Sequence, residues 1–196
     1  MDLIDTHQHL IYQNVATYGW AKDLPALQSD FTVKDYQDLT NDYNIIGTLF
    51  MECAVDDPDY KKESNFINSL MQKSESGIKG LILSIRPEDD NDFNKWLEES
   101  KSLGVVGYRR VLHTEPDELS QQNNFRKNIS KIGKVGKPFD LCFREDQLKI
   151  AIELSKSCDE MNLILNHCGV PAIASGKMDE WKKDITALSK LKHVTC

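Results

Sequence analysis

Short apolar, β-branched runs alternate along the chain with amphipathic stretches. The runs have the length of buried strands and begin near residues 3, 46, 80, 105, 138, 162 and 193. The stretches between them carry apolar residues at helical spacing, as in segment 60–72, where Phe66, Ile67, Leu70 and Met71 recur on one face. Strands that alternate with helices of this length predict βαβ units and a parallel sheet.

The type of parallel sheet follows from what surrounds the strands. The runs are almost continuously apolar, as expected when helices cover both faces of a sheet. None is followed by G-x-G-x-x-G or G-x-x-x-x-G-K-[ST], so the usual nucleotide sites are not supported and a doubly wound sheet is disfavoured. We therefore predict an α/β fold, a (β/α)₈ TIM barrel with six strand–helix units and the start of strand seven, as one domain over residues 1–196.

Two local expectations concern the ends of the elements. Thr32 is predicted to cap a helix over residues 33–41, with Asp35 completing the cap three residues later. The apolar run that begins at residue 193 reaches Cys196 without a following helix. We expect the natural chain to continue for about 60–90 residues to typical barrel length, or a partner chain to complete the sheet.

Composition narrows the classes of partner. The chain has 31 acidic and 24 basic residues and a net charge of −7, which argues against nucleic acids and anionic membrane surfaces. It contains neither an apolar run of membrane-spanning length nor a signal peptide, so a cytoplasmic location is expected. Five cysteines without a C-x-x-C pair indicate neither a disulfide framework nor a structural zinc site; we expect reduced, mostly buried thiols.

Candidate chemistry lies at the carboxyl ends of the strands, where catalytic groups of parallel barrels are found. His7 and His9 end strand one, and their spacing of two points both imidazoles to the same side. His167 follows strand six. For all three, a role at an ion or a substrate is favoured over a chance arrangement.

Four further residues are candidates for substrate binding, each with a structural alternative. One of Arg109 and Arg110 should point into the barrel mouth and bind a carboxylate or an oxyanion, whereas ion pairing in an acidic protein is the alternative. Asp140, which ends strand five, suits substrate binding or a structural contact equally. Trp20, with Tyr18, forms either an aromatic wall or the packing of its loop.

The two remaining histidines are expected to be non-functional. His113 is predicted to be a solvated loop residue. His193 enters its strand at the amino-terminal end, the structural face of a barrel.

Four segments together resemble the amidohydrolase superfamily, and most closely its amidohydrolase 2 group, over the whole chain. They are Ile4-Asp5-Thr6-His7-Gln8-His9-Leu10, Gly107-Tyr108-Arg109, Phe139-Asp140-Leu141-Cys142 and Asn166-His167-Cys168-Gly169-Val170-Pro171. This group includes fuconolactonase-type sugar lactonases and pyrone-dicarboxylate lactonase. The resemblance implies a distorted (β/α)₈ barrel and a hydrolase of lactones or similar bonds, acting on a small molecule.

The resemblance also implies roles for individual residues. His7, His9 and His167 match positions that bind a divalent ion, such as zinc or manganese, or that hold the substrate carbonyl directly in metal-free members. Arg109 matches a substrate-binding arginine. Strands four and five lack the bridging lysine or glutamate and the histidine of two-metal members, so one ion or none is expected.

The catalytic aspartate of strand eight in this family has no counterpart within the 196 residues. Two alternatives to a lactonase therefore stay open: a metal-dependent decarboxylase of the same superfamily, and a catalytically silent binding module. Whether the chain forms a homo-oligomer is also open.

Overall fold

The computed structural model describes all 196 residues, and its strands alternate with helices throughout. The strands are β1 Leu3–Gln8, β2 Ile45–Met51, β3 Ile78–Ser84, β4 Val105–Val111, β5 Phe139–Cys142, β6 Leu163–Leu165 and β7 Val194–Thr195. The helices are α1 Val33–Leu39, α2 Tyr60–Met71, α3 Asp90–Glu99, α4 Asn123–Lys134, α5 Leu148–Ser157 and α6 Asp179–Leu188. No helix has the length and apolar character that crossing a membrane requires.

The strands follow one another in chain order in a seven-stranded sheet, from β1 to β7. A helix follows each of the first six strands. This is the pattern of a partial (β/α)₈ barrel with six complete strand–helix units and a seventh strand, so the predicted fold class is confirmed.

The chain forms two compact units, which are described separately. Unit one contains residues 1–84 and 99–106, and unit two contains residues 85–98 and 107–196. The single-domain organisation stays a prediction.

Unit one is built on the parallel strands β1, β2 and β3. Strand β1 changes register against β2 between Asp5 and Gln8, an irregularity of the kind that re-aims side chains near functional sites. Beside it, the buried Thr48 hydroxyl donates a hydrogen bond to Gln8 Oε1 at 2.9 Å. This contact joins β1 to β2 at Gln8, the residue between His7 and His9.

The predicted helix cap in unit one is confirmed. Thr32 accepts a hydrogen bond from the backbone of Asp35 at 3.3 Å, and the Asp35 carboxylate accepts one from the Thr32 backbone at 2.8 Å. These bonds satisfy amide groups that the first helical turn leaves without partners. The helix ends at Leu39, two residues before the predicted end.

Unit two contains β4 from Gly107 onward and the strands β5 to β7, which are parallel, and two sets of residues alternate along them. Tyr108, Phe139 and Leu163 are aligned across the strands and fully buried, and the Phe139 ring meets Phe125 of α4 edge-on at 6.4 Å. Arg109 and Asp140 occupy the neighbouring register positions. Because successive residues of a strand face opposite sides, these polar residues lie on the face opposite Phe139 and α4.

Two elements of the chain end in 3₁₀ turns. Helix α3 ends at Glu99 and is followed by a 3₁₀ turn over Ser100–Leu103. Strand β6 contains only three residues, because Asn166 already begins a turn with left-handed backbone angles. This turn carries Asn166 and His167 and therefore determines where their side chains lie.

Candidate functional site

Unit one brings two imidazoles together at the end of β1. The ring centroids of His7 and His9 are 4.9 Å apart, with the rings inclined at 78°. His7 is half-buried and His9 is exposed. The rings are thus neighbours, as the alternation of side chains along a strand predicts.

A backbone carbonyl at the end of β2 determines which ring nitrogen of neutral His9 carries the proton. His9 Nδ1 lies 2.9 Å from the backbone oxygen of Met51, the last residue of β2. Because a carbonyl oxygen only accepts hydrogen bonds, the neutral ring carries its proton on Nδ1 and leaves a lone pair on Nε2. The sequence offers no signal for this contact, since its acceptor is a backbone atom.

The long first loop is tied to the end of β2. Trp20 donates from its indole nitrogen to the backbone oxygen of Cys53 at 2.9 Å, and its side chain stays about half exposed. Tyr18 is buried, and its hydroxyl accepts a hydrogen bond from the Tyr12 backbone. Burial raises the pKa of the Tyr18 hydroxyl. The loop therefore packs through Tyr18, while a substrate contact of Trp20 stays a prediction.

Unit two contains a buried polar chain across three strands. Arg109 Nη1 donates to Asn166 Oδ1 at 3.4 Å, and Asn166 Nδ2 donates to Asp140 Oδ2 at 2.8 Å. The three residues are 4%, 5% and 1% exposed, respectively. Asn166 uses both ends of its amide and thereby positions a buried cation and a buried carboxylate. It was not among the predicted site residues, although its place at the end of strand six could have indicated it.

His167 follows directly, in a turn over Asn166–Gly169. Both His167 and Cys168 have φ of +52°, a left-handed conformation that is strained for residues with a Cβ and clusters at functional sites. Partial burial and, secondarily, the positive charge of Arg109 lower the pKa of His167 below its usual value. The imidazole is therefore neutral at pH 7.

The turn depends on Gly169, which has φ of +70°. A Cβ at this position would lie 2.6 Å from Leu148 Cδ2 of α5, closer than packed carbon atoms approach. Glycine thus satisfies both the backbone angle and the space available.

Arg110 is engaged differently from Arg109. Its Nε lies 2.9 Å from Glu88 and its Nη2 lies 3.3 Å from Glu115. The side chain is largely buried among these partners. This is the arrangement expected under the ion-pair alternative, whereas substrate binding by Arg110 stays a prediction.

The other two histidines have defined structural contacts. His113 is half-buried, not a solvated loop residue, because its Nδ1 lies 3.3 Å from Cys142 Sγ at the end of β5. His193 Nε2 donates to the backbone oxygen of Ser155 at 2.9 Å. This contact joins β7 to α5 and agrees with the structural interpretation of His193.

A metal ion of the kind the resemblance implies does not fit the donor groups that the structure assembles. No group of three or more histidine, cysteine, aspartate or glutamate side chains is arranged to hold an ion. A catalytic zinc takes three protein ligands and a water molecule. We therefore derive no step through a metal, and a site formed by His7, His9 and His167 stays a prediction.

Two solved structures of amidohydrolase-type proteins have folds similar to that of this chain. A crystal structure of an amidohydrolase from Burkholderia multivorans with bound zinc matches with a TM-score of 0.85 at 21% identity, over 98% of this chain and 68% of that one. A probable 2-pyrone-4,6-dicarboxylic acid hydrolase from Acinetobacter baumannii, with citric acid bound, matches with a TM-score of 0.74 at 16% identity, over 96% and 67%. At such identities these matches show the fold alone.

Sequence comparison identifies the family. An uncharacterized protein of Sinorhizobium fredii, y4mH, is 21% identical over 213 residues, which span 99% of this chain and 71% of that protein. The amidohydrolase family model Amidohydro_2 matches residues 4–196, and so includes β1 with its histidine pair and the turn after β6. The chain belongs to the amidohydrolase family.

Proposed function

We propose that this amidohydrolase opens a lactone, the cyclic ester of a sugar acid or a dicarboxylic acid, by attack of water on the ring carbonyl. The observation that carries the proposal is the buried chain of Arg109, Asn166 and Asp140 next to the neutral His167. Family membership supports hydrolysis, and these groups support an acidic or polyhydroxy substrate.

Arg109 supplies the recognition of negative charge. Its guanidinium is buried and oriented by a neutral amide oxygen of Asn166. A guanidinium binds a carboxylate through two parallel hydrogen bonds, and burial strengthens such bonds. Asp140, held by Asn166, is suited to accept a hydrogen bond from a substrate hydroxyl.

The histidines supply hydrogen bonding and proton transfer. The neutral imidazole of His167 carries an N–H that can stabilise the developing oxyanion. In the neutral His9 tautomer with its proton on Nδ1, the basic nitrogen is Nε2, and this atom would accept the proton from water. Water adds its oxygen to the carbonyl carbon, the ring C–O bond breaks, and the departing oxygen takes a proton to give a hydroxy acid.

A panel of sugar-acid and dicarboxylic-acid lactones tests the proposal, with acid release followed against time. His9→Gln, His167→Gln and Arg109→Lys are expected to lose activity, whereas the control His193→Gln retains it. Each assay is run with and without added zinc or manganese. Carbon dioxide release from acid substrates would identify a decarboxylase instead, and ligand affinity without turnover a binding module; either outcome would overturn the lactonase proposal.

Metal analysis of the same proteins tests the ion separately. If His7, His9 and His167 bind one ion, replacing any of them by alanine removes most of the bound metal, and His193→Ala does not. Occupancy then falls below about pH 6.5, because only neutral imidazole is a ligand. Metal content unchanged in all three variants would disprove the three-histidine site.

A further inference from the structure

Two exposed cysteines of unit two lie against each other. Cys168, in the turn after β6, and Cys196, which follows β7, have their sulfur atoms 3.6 Å apart. Both residues are exposed, whereas Cys53, Cys142 and Cys158 are buried. None of the five cysteines is in a disulfide, and Cys168 and Cys196 combine proximity with access from solvent.

The fold itself creates the pair. Strands β6 and β7 are parallel neighbours with Ile164 opposite Thr195, so Cys196 continues β7 alongside the end of β6. The left-handed turn after β6 then places Cys168 beside it. Trp181 of α6 donates from its indole nitrogen to the backbone oxygen of Cys168 at 2.7 Å and holds the turn in place.

We propose that Cys168 and Cys196 are a redox modification site that closes reversibly into an intramolecular disulfide. A disulfide bond is about 2.05 Å long, so the two sulfur atoms at 3.6 Å must approach by about 1.5 Å. Both side chains are exposed, so their sulfur atoms can approach by side-chain rotation while Trp181 holds the backbone of the turn. The bond would join β7 to the turn that carries His167.

The oxidant in this proposal is a small disulfide of the glutathione type. The sulfur of one cysteine attacks the small disulfide, forms a mixed disulfide and releases one small thiol. The sulfur of the second cysteine then attacks the protein-bound sulfur and releases the other small thiol. Two protein thiols are oxidised and one small disulfide is reduced to two thiols, so electrons and protons balance.

The three buried cysteines are expected to react more slowly with a small disulfide than the exposed pair does. Cys53 Sγ lies 3.2 Å from the backbone oxygen of Leu10, and Cys142 Sγ contacts His113. Their burial excludes a small disulfide, and susceptibility to such reagents follows exposure. Oxidation of the reduced protein should therefore consume two thiols and spare three.

Treatment of the full reduced chain with oxidised glutathione tests the proposal, with thiol titration and mass mapping as readouts. Cys158 and Cys168 fall in one tryptic peptide, 157–177, so the experiment uses the Cys158→Ser variant to make the assignment unambiguous. We expect peptide 157–177 to be cross-linked to the peptide that begins at His193, and dithiothreitol to reverse the bond. The same cross-link should form in the wild type, with a loss of two thiols out of five.

Single cysteine variants distinguish formation of the internal disulfide from independent reaction of each exposed thiol. In Cys168→Ser and in Cys196→Ser the remaining exposed cysteine should retain glutathione as a stable mixed disulfide. Persistent glutathione on both cysteines of the wild type would overturn the proposal. A cross-link to Cys53 or Cys142, or disulfide dimers in place of the internal bond, would overturn it equally.

Discussion

The side-chain amide of Asn166 donates a 2.8 Å hydrogen bond to the buried carboxylate of Asp140, and thereby links the ends of β5 and β6. The same amide accepts a hydrogen bond from Arg109. One uncharged residue thus sets the orientation of the two buried charged groups on this face of unit two. Its removal should disturb both stability and substrate binding.

Asn166→Ala leaves the Asp140 carboxylate without one of its donors and Arg109 without one of its acceptors. We expect a loss of about 1–3 kcal/mol in the free energy of unfolding, the usual effect of depriving buried polar groups of partners. Urea unfolding measures this loss. Asn124→Ala, at a half-buried residue that donates to the Glu88 backbone, is the control and should lose less. Equal losses in the two variants would contradict a special role for Asn166.

Arg109→Lys keeps the positive charge but loses the two-pronged geometry of the guanidinium. A charge-assisted hydrogen bond contributes about 1.5–3 kcal/mol, so the KM for an acidic lactone should rise about tenfold or more. Steady-state kinetics across the lactone panel checks this. Arg144→Lys, at an exposed residue paired with Asp146, should leave KM unchanged. Wild-type KM in Arg109→Lys would show that Arg109 does not bind the substrate.

The pKa of His167 makes stability depend on pH in a predictable direction. Burial and the charge of Arg109 lower this pKa in the folded protein, so the unfolded chain binds more protons below about pH 6.5. The contribution to stability is complete above that pH and is lost as pH falls through the folded pKa. Unfolding midpoints measured from pH 7.5 to 5 should therefore fall more steeply in the wild type than in His167→Gln. Parallel pH profiles for the two proteins would refute this.

Gly169→Ala should destabilise the turn that carries His167. The added Cβ would lie 2.6 Å from Leu148, and the alanine would have to adopt φ near +70°. Together these two effects should lower the free energy of unfolding by about 2–4 kcal/mol. Gly176→Ala is a matched control, because Gly176 has φ of +67° and open space around it. The difference in urea midpoint between the two variants isolates the steric contribution. Equal midpoints would show that the turn relaxes away from α5.

Much of the architecture follows from the sequence alone. The period of the apolar positions distinguishes strands from helices, and their regular alternation leads to the (β/α)₈ pattern. Thr32 and Asp35 predict a capping box because the interaction spans only three residues of backbone. The spacing of His7 and His9 similarly predicts that their rings adjoin, since side chains alternate along one strand.

Contacts between elements distant in sequence were decided only by the tertiary structure. The proton position on His9 depends on the Met51 backbone oxygen, 42 residues away, and no side-chain pattern encodes a carbonyl acceptor. Arg109 and Arg110 are identical in type and adjacent, yet one meets Asn166 and the other Glu88 and Glu115. Cys168 and Cys196 meet because a left-handed turn returns beside β7. Local periodicity specifies which face of an element a residue occupies, whereas its partners depend on how strands far apart in the chain are aligned.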